Sequence, residues 1–278
     1  MNILENYRGN IIDVHTHLFP EKIAEKATQA VGNFYDLSMD KVGTRANLVA
    51  DMEKYGIKHC FIHSVATVAH QVRGINDFLI NVLNKSSGIF TAFGPIHIDG
   101  EDTLGEIDYM RKNGITGIKL HNDFQGFPVD DPRLDAIYEK CQSEKIPIMF
   151  HAGDKRYKYT NPKQFRSVGI KFPDLIGVAA HFGGYSEWVD VDDDYCKDSP
   201  FWFDTSSSLF LLKPHEAERI INFRGSDKIM FGTDFPMWTA CDEYKRIESL
   251  NIDNSTLDKI MYKNAENFLK IVSAELKQ

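Results

Sequence analysis

The stretch Asn10-Ile11-Ile12-Asp13-Val14-His15-Thr16-His17-Leu18-Phe19-Pro20 decides how this chain is read. It runs from branched apolar residues into two histidines and stops at a proline, as a buried strand does when it opens onto a loop. The loop that follows, Thr16 to Pro20, has no glycine-rich phosphate cradle. Neither a GxGxxG motif nor a P-loop occurs elsewhere, so a nucleotide-binding doubly wound sheet loses weight and stays only as a fallback.

Working outward, seven further short apolar runs resemble the first. They are His59 to Ser64, Ile89 to Pro95, Gly114 to His121, Ile146 to His151, Leu175 to His181, Phe201 to Thr205 and Lys228 to Asp234. Amphipathic stretches with helix signals lie between them. Thr44 precedes a run to Tyr55 that stops at Gly56, Asp131-Pro132 opens a run to Glu144, and Ser255 with Asp258 three residues on resembles a capping box. Eight such units in 278 residues average about 35 residues each, which predicts an α/β fold, a single (β/α)8 TIM barrel over residues 1–278. The longest irregular stretch, Gly183 to Pro200, carries Asp190, Asp192, Asp193 and Asp194 and reads as a solvated acidic loop, with a lid as the alternative.

Composition narrows the class of partner. The chain has a net charge of −8 and 42% hydrophobic residues, an ordinary globular balance that argues against nucleic acid or an anionic membrane as the main partner. Four cysteines, Cys60, Cys141, Cys196 and Cys241, form no CxxC pair and read as reduced thiols. With no apolar leader at Met1 to Gly9 and no window near 18 consecutive apolar residues, a cytoplasmic location is expected. A small-molecule substrate is the expected partner. Barrels often associate, so a homo-oligomer is left open.

Chemistry in a parallel barrel collects where strands meet the loops that follow them. Strict alternation would put Asp13, His15 and His17 on one face of the first strand and Ile12, Val14 and Leu18 on the other. His151 closes the fifth run, His181 the sixth and Asp234 the eighth, and alternation in the fourth groups Gly117, Lys119 and His121. Imidazole and carboxylate donors at one mouth suit a divalent ion with room left for water. Any one of these histidines alone is better read as a packed or hydrogen-bonded side chain. Five metal-competent residues at strand ends favour a hydrolytic metal site.

The ordered segments Ile12-Asp13-Val14-His15-Thr16-His17-Leu18-Phe19-Pro20, Gly117-Ile118-Lys119-Leu120-His121, Ile146-Pro147-Ile148-Met149-Phe150-His151-Ala152-Gly153, Ala180-His181-Phe182-Gly183-Gly184, Phe203-Asp204-Thr205-Ser206 and Phe231-Gly232-Thr233-Asp234-Phe235-Pro236 resemble the amidohydrolase superfamily. The similarity is to its amidohydrolase-2, or aminocarboxymuconate-semialdehyde-decarboxylase-like, branch. Asn264-Ala265-Glu266-Asn267-Phe268 is similar to that family's last helix. The resemblance implies one divalent metal held by His15, His17, His151 and Asp234, with His181 polarising substrate or activating water. Zinc suits this set, and manganese, iron or cobalt would fit similar donors. His181 and Asp234 are the candidate catalytic groups, and either could act as the base. In binuclear relatives a carboxylated lysine bridges two metals, a use open to Lys119; a substrate-contacting ammonium is the alternative. A glutamate there would have suggested TatD-like nucleases.

Other residues have weaker claims. Lys155 and Arg156 could hold a substrate carboxylate, His121 could touch substrate, and Trp238 could wall the pocket, although solvated loop charges and core packing are the ordinary fates of such residues. His63 and His97 stand at strand ends but read as structural histidines, and Arg73 has a fainter case than Arg156. The expected activity is metal-dependent hydrolysis of an ester, lactone or amide of a small, carboxylated molecule. The rival is nonoxidative decarboxylation of a small unsaturated or aromatic acid. A non-catalytic barrel with a relict metal site is the third reading.

Overall fold

The computed structural model describes residues 3–273. Eight parallel strands follow one another around a nearly closed barrel: β1 (Ile11–His17), β2 (Ile57–His63), β3 (Phe90–Pro95), β4 (Gly117–Leu120), β5 (Ile148–Phe150), β6 (Gly177–Ala179), β7 (Trp202–Asp204) and β8 (Ile229–Met230). Each strand pairs with its sequence neighbour, the order a right-handed βα repeat imposes.

The regular part of β8 is short, and the seam to β1 is closed beyond it. Val14 N–H donates to Phe231 O at 2.9 Å, Asp234 N–H to His15 O at 2.8 Å and His17 N–H to Phe235 O at 2.7 Å. Buried Asp13 adds a side-chain clamp, accepting from Thr233 Oγ1 at 2.6 Å and from the Thr233 amide at 3.0 Å. Gly232 makes this approach feasible, because a Cβ there would stand 2.9 Å from His15 Cβ.

Inside the barrel the alternation of the strands builds two layers. The lower one is apolar, with Ile12 and Val14, Phe61, Phe93, Met149, Val178, Trp202 and Met230 meeting Phe268 of the helix Asn264–Ser273. Phe268 packs against Phe61 and Trp202 at ring separations of 6.0 and 5.6 Å, so this helix plugs one end. Two residues further along the strands the inward positions become polar: His63 above Phe61, Lys119 above Gly117, His151 above Met149, Asp204 above Trp202. The outer faces, with Ile62, Ile118, Phe150 and Phe203, pack under the helices.

Strict alternation fails in β1. Ile12 and Val14 join the inner floor, and a register shift between Asp13 and Thr16 lets His15 and His17 face inward as well. Thr16 pins this irregular turn by donating its hydroxyl to Phe61 O at 2.7 Å.

The helix signals hold with two corrections. Thr44 caps Arg45–Tyr55 by accepting from Asn47 N–H, and Gly56 ends it in a left-handed conformation. Asp131 caps a short 3-10 turn, Pro132–Leu134, that leads into the helix Asp135–Ser143. Asp253, not Ser255, caps the helix Asn254–Asp258, because its carboxylate is the group that reaches the Thr256 amide at 2.7 Å. The acidic stretch is structured too: Asp192 caps the helix Asp193–Asp198, Asp190 accepts from Asn161, and Asp193 pairs with Arg219 at 2.7 Å. Its charges are used locally. Among the described residues no helix is long and apolar enough to cross a membrane.

Candidate metal centre

The polar layer opens into a cleft of about 750 Å³ whose inner end is lined by His15, His17, Lys119, His121, His151, His181 and Asp234. Asp234 Oδ1 lies 3.4 Å from His15 Nε2 and 3.2 Å from His17 Nε2. Lys119 Nζ stands 3.5 Å from the same His15 nitrogen. On the far side His181 Nε2 faces His151 Nδ1 at 3.0 Å. His15, His17 and Asp234 therefore converge, although they come from opposite ends of the chain, whereas His151 clusters with His121 and Asp123 and reaches the others through His181.

Buried carboxylates and carbonyls set the tautomers. Asp204 Oδ2 accepts from His15 Nδ1 at 2.8 Å, which turns the Nε2 lone pair toward the centre. The other Asp204 oxygen accepts from the His181 amide at 3.0 Å and from Ser206 Oγ at 2.5 Å. His181 Nδ1 donates to Ser206 O at 2.9 Å, leaving its Nε2 inward. His121 is stacked between Phe124 and His151, at ring separations of 3.8 and 3.9 Å, and its Nε2 faces the Tyr35 hydroxyl at 3.1 Å.

Electrostatics favour neutral imidazoles beside ionised carboxylates. Burial, helped by Lys119, pulls His15 down to about 4, and burial also lowers His17, His63, His121 and His151. Burial opposes the charge of Asp234, yet His15, the bond from His17 and His181 together hold it well below the ordinary carboxylate range. Asp204 is held low in the same way, by His15 above all, against its burial. Lys119 is brought down to about 8 by burial, with Asp234 and Asp204 opposing the shift. Neutral nitrogen and ionised oxygen are the forms a metal takes.

Two features set the site apart from an ordinary packed core. Both ring nitrogens of His63, Nε2 of His151 and Oδ1 of Asp123 are buried without a hydrogen-bond partner among the described residues, a costly state for a merely packed side chain. Potential ligand atoms cluster within 4.8 Å in three sets: His15, His17 and His63; His15, His181 and Asp234; His121, Asp123 and His151. The donors fit a divalent ion. In addition, His181, Phe182, Ser207 and Asp234 all have left-handed backbone, with φ between 44° and 61°. Such conformations cost energy and gather where geometry is imposed for function. At His181 the turn re-aims a ring that simple alternation would place on the outer face.

Several residues stand elsewhere than the sequence suggests. Arg156 is engaged by Asp154, at 2.6 and 2.9 Å, and lies over the Phe34 ring at 4.2 Å, behind the cleft wall. Lys155 is exposed, its amide donating to Ser186 Oγ at 3.0 Å, and it does not line the cleft. Trp238 is set back from the cleft, with Nε1 donating to Ser207 Oγ at 3.1 Å, and Ser207 donates in turn to Asp234 Oδ2 at 2.6 Å. Arg73 pairs with Glu106 at 2.7 Å, and His97 is packed against Phe127. Conversely His63, read as structural, sits with its ring 4.5 Å from His15 and 4.3 Å from His17. Its alternation with Phe61 could have placed it inward. Asp204 ends an apolar run just as Asp234 does, and that signal was available. Nothing local marks Tyr35 or Ser207.

The chain belongs to the amidohydrolase-2 family: the family model described as Amidohydrolase matches residues 12–271. Solved structures share the barrel at low identity. An uncharacterized TIM-barrel protein from Bordetella bronchiseptica is 20% identical with a TM-score of 0.77, covering 96% of this chain and 99% of that one. A dihydroxybenzoic acid decarboxylase from a Polaromonas species, with bound manganese and the inhibitor 2-nitroresorcinol, is 17% identical with a TM-score of 0.71, covering 95% and 97%. A 5-carboxyvanillate decarboxylase from Sphingomonas paucimobilis is 14% identical with a TM-score of 0.69, covering 95% and 99%. No protein of curated function matches the chain.

Proposed function

We propose that the protein is a metal-dependent nonoxidative decarboxylase of a small unsaturated or aromatic carboxylic acid. The observation that carries this reading is the convergence of imidazoles, Asp234 and the buried Lys119 ammonium at the floor of an otherwise apolar cleft. Decarboxylases among the structural neighbours support it over the hydrolysis expected from sequence. His15, His17 and Asp234 would hold the ion, with His151 supplying a further nitrogen. A divalent ion bound there, manganese or zinc, supplies Lewis-acid polarisation of substrate oxygens.

The residues themselves do the rest. Lys119 presents a positive charge to the substrate carboxylate and orients it. Apolar walls disfavour that charge relative to neutral CO2, so they favour its departure. When the carbon–carbon bond breaks, its electron pair stays on the substrate carbon, and a solvent proton, picked up first on His181 Nε2 and relayed from it, takes the vacated position. Ser206 O holds the opposite edge of that ring and keeps Nε2 aimed inward.

Hydrolysis of an ester, lactone or amide is the second reading. It is favoured by Asp234, whose ionised carboxylate could accept a proton from water beside His15 and His17. The test is metal content of protein purified without chelators, followed by incubation with 2,6-dihydroxybenzoate, 5-carboxyvanillate and a panel of lactones and amides. CO2 release with one solvent deuterium at the vacated carbon supports decarboxylation. Solvent ¹⁸O at a cleaved carbonyl supports hydrolysis instead. Protein that takes up no divalent ion overturns both.

A further inference from the structure

The cleft is far larger than its polar end. At roughly 30 Å³ per water-sized group, 750 Å³ accommodates about 25 such groups, whereas a single-ring acid of about ten non-hydrogen atoms would fill less than half. The remaining space lies between two helices. The helix Ala24–Tyr35 buries Ala24, Thr28 and Gly32, the last two against the following loop at Leu37, Met39 and Gly43, and turns a second stripe, Ala27, Ala30, Val31 and Phe34, toward the cleft. Opposite it, Gly74 and Ile75 of the helix Val72–Asn84 form the other wall. A Cβ on Gly74 would meet nothing within 4 Å, so this glycine in the helix's first turn relieves no clash in the fold and leaves the cleft wide. Arg156 is committed to Asp154 behind Phe34, and exposed Lys26 is the cation on the outer part of the lining.

We infer that the substrate is an amphiphilic carboxylic acid whose long apolar limb runs from Lys119 outward between the helices Ala24–Tyr35 and Val72–Asn84. The inference rests on the proposed function for its carboxylate end. It names the substrate class through the limb, for which the continuity of the apolar walls with the metal centre is the evidence. A ring or chain of eight or more carbons beyond the acid would cover the stripe and exclude water from the centre.

Calorimetric titration of the purified, metal-loaded protein tests this with benzoate, 4-butylbenzoate, 4-octylbenzoate and the uncharged 4-octylphenol. Affinity is expected to rise about fourfold per methylene through the benzoate series, the effect of burying each CH2. Gly74→Leu, which fills open space and favours the helix, should reduce 4-octylbenzoate binding tenfold or more while leaving benzoate within twofold. A flat series, or indifference to Gly74→Leu, overturns the limb while leaving the decarboxylase reading intact. Equal binding of 4-octylphenol and 4-octylbenzoate keeps the limb but removes the carboxylate end. Sedimentation velocity closes the remaining alternative: a stable dimer that loses 4-octylbenzoate binding as it forms would mean that a second copy covers the cleft, overturning the proposal.

Discussion

His15 and Asp204, separated by 189 positions in the chain, are joined by a 2.8 Å hydrogen bond from Nδ1 to Oδ2 deep inside the barrel. This bond decides which nitrogen of His15 faces the centre, and through its other oxygen Asp204 also holds the His181 amide. Asp204→Asn keeps the shape but removes the charge that favours the Nδ1–H tautomer. Outer partners of this kind typically contribute 10–100-fold to metal affinity. Competition with a chelator should show a loss of that size, with an unchanged far-ultraviolet circular dichroism spectrum.

Ser207 and Trp238 position the second oxygen of Asp234. Ser207→Ala removes a hydrogen bond to an ionised group, a change of about 1.5–3 kcal/mol, so kcat/KM should fall by about one to two orders of magnitude. Trp238→Phe keeps most of the ring but removes the N–H that orients Ser207, and should cause a smaller loss in the same direction. Steady-state kinetics of the two variants checks the order.

Stability should decline with rising pH because of Glu243. Burial, only partly offset by its partner Arg246, raises this carboxyl to about 8. A group whose pKa is raised on folding holds its proton more tightly when folded, so its stabilising contribution is full below about 4.5 and is lost as pH climbs toward 8. The slope from one proton is at most about 1.4 kcal/mol per pH unit. Urea unfolding across that window should show the decline in the native protein and a flatter profile in Glu243→Gln.

Gly153 ties the loop after His151 to the loop after His181. It has a φ of 81°, and a Cβ there would lie 2.4 Å from the carbonyl carbon of Gly184. Neither backbone can yield easily. Gly153→Ala should destabilise the protein by about 1–3 kcal/mol and lower the melting temperature. It should also weaken metal retention, because His151 and His181 are held 3.0 Å apart at these two turns.

Local pattern alone determined the succession of strands and helices, the cap at Thr44, the stop at Gly56 and the gathering of His15, His17, Lys119, His151, His181 and Asp234 at strand ends. Such features depend on residue type and spacing within a few positions, and a (β/α)8 order brings strand ends to one mouth whatever the details. Tertiary structure alone decided which groups face one another across that mouth. The shift in β1 places His15 and His17 inward beside Val14, left-handed backbone re-aims His181, and ring packing makes His63 a neighbour of both first-strand histidines. Arg156 and Lys155 stand near His151 in sequence yet do not line the cleft, because Asp154 engages the Arg156 guanidinium and Lys155 is exposed. The physical reason is common to all of these: each depends on the distance between residues far apart in the chain, and that distance is fixed only when the barrel closes.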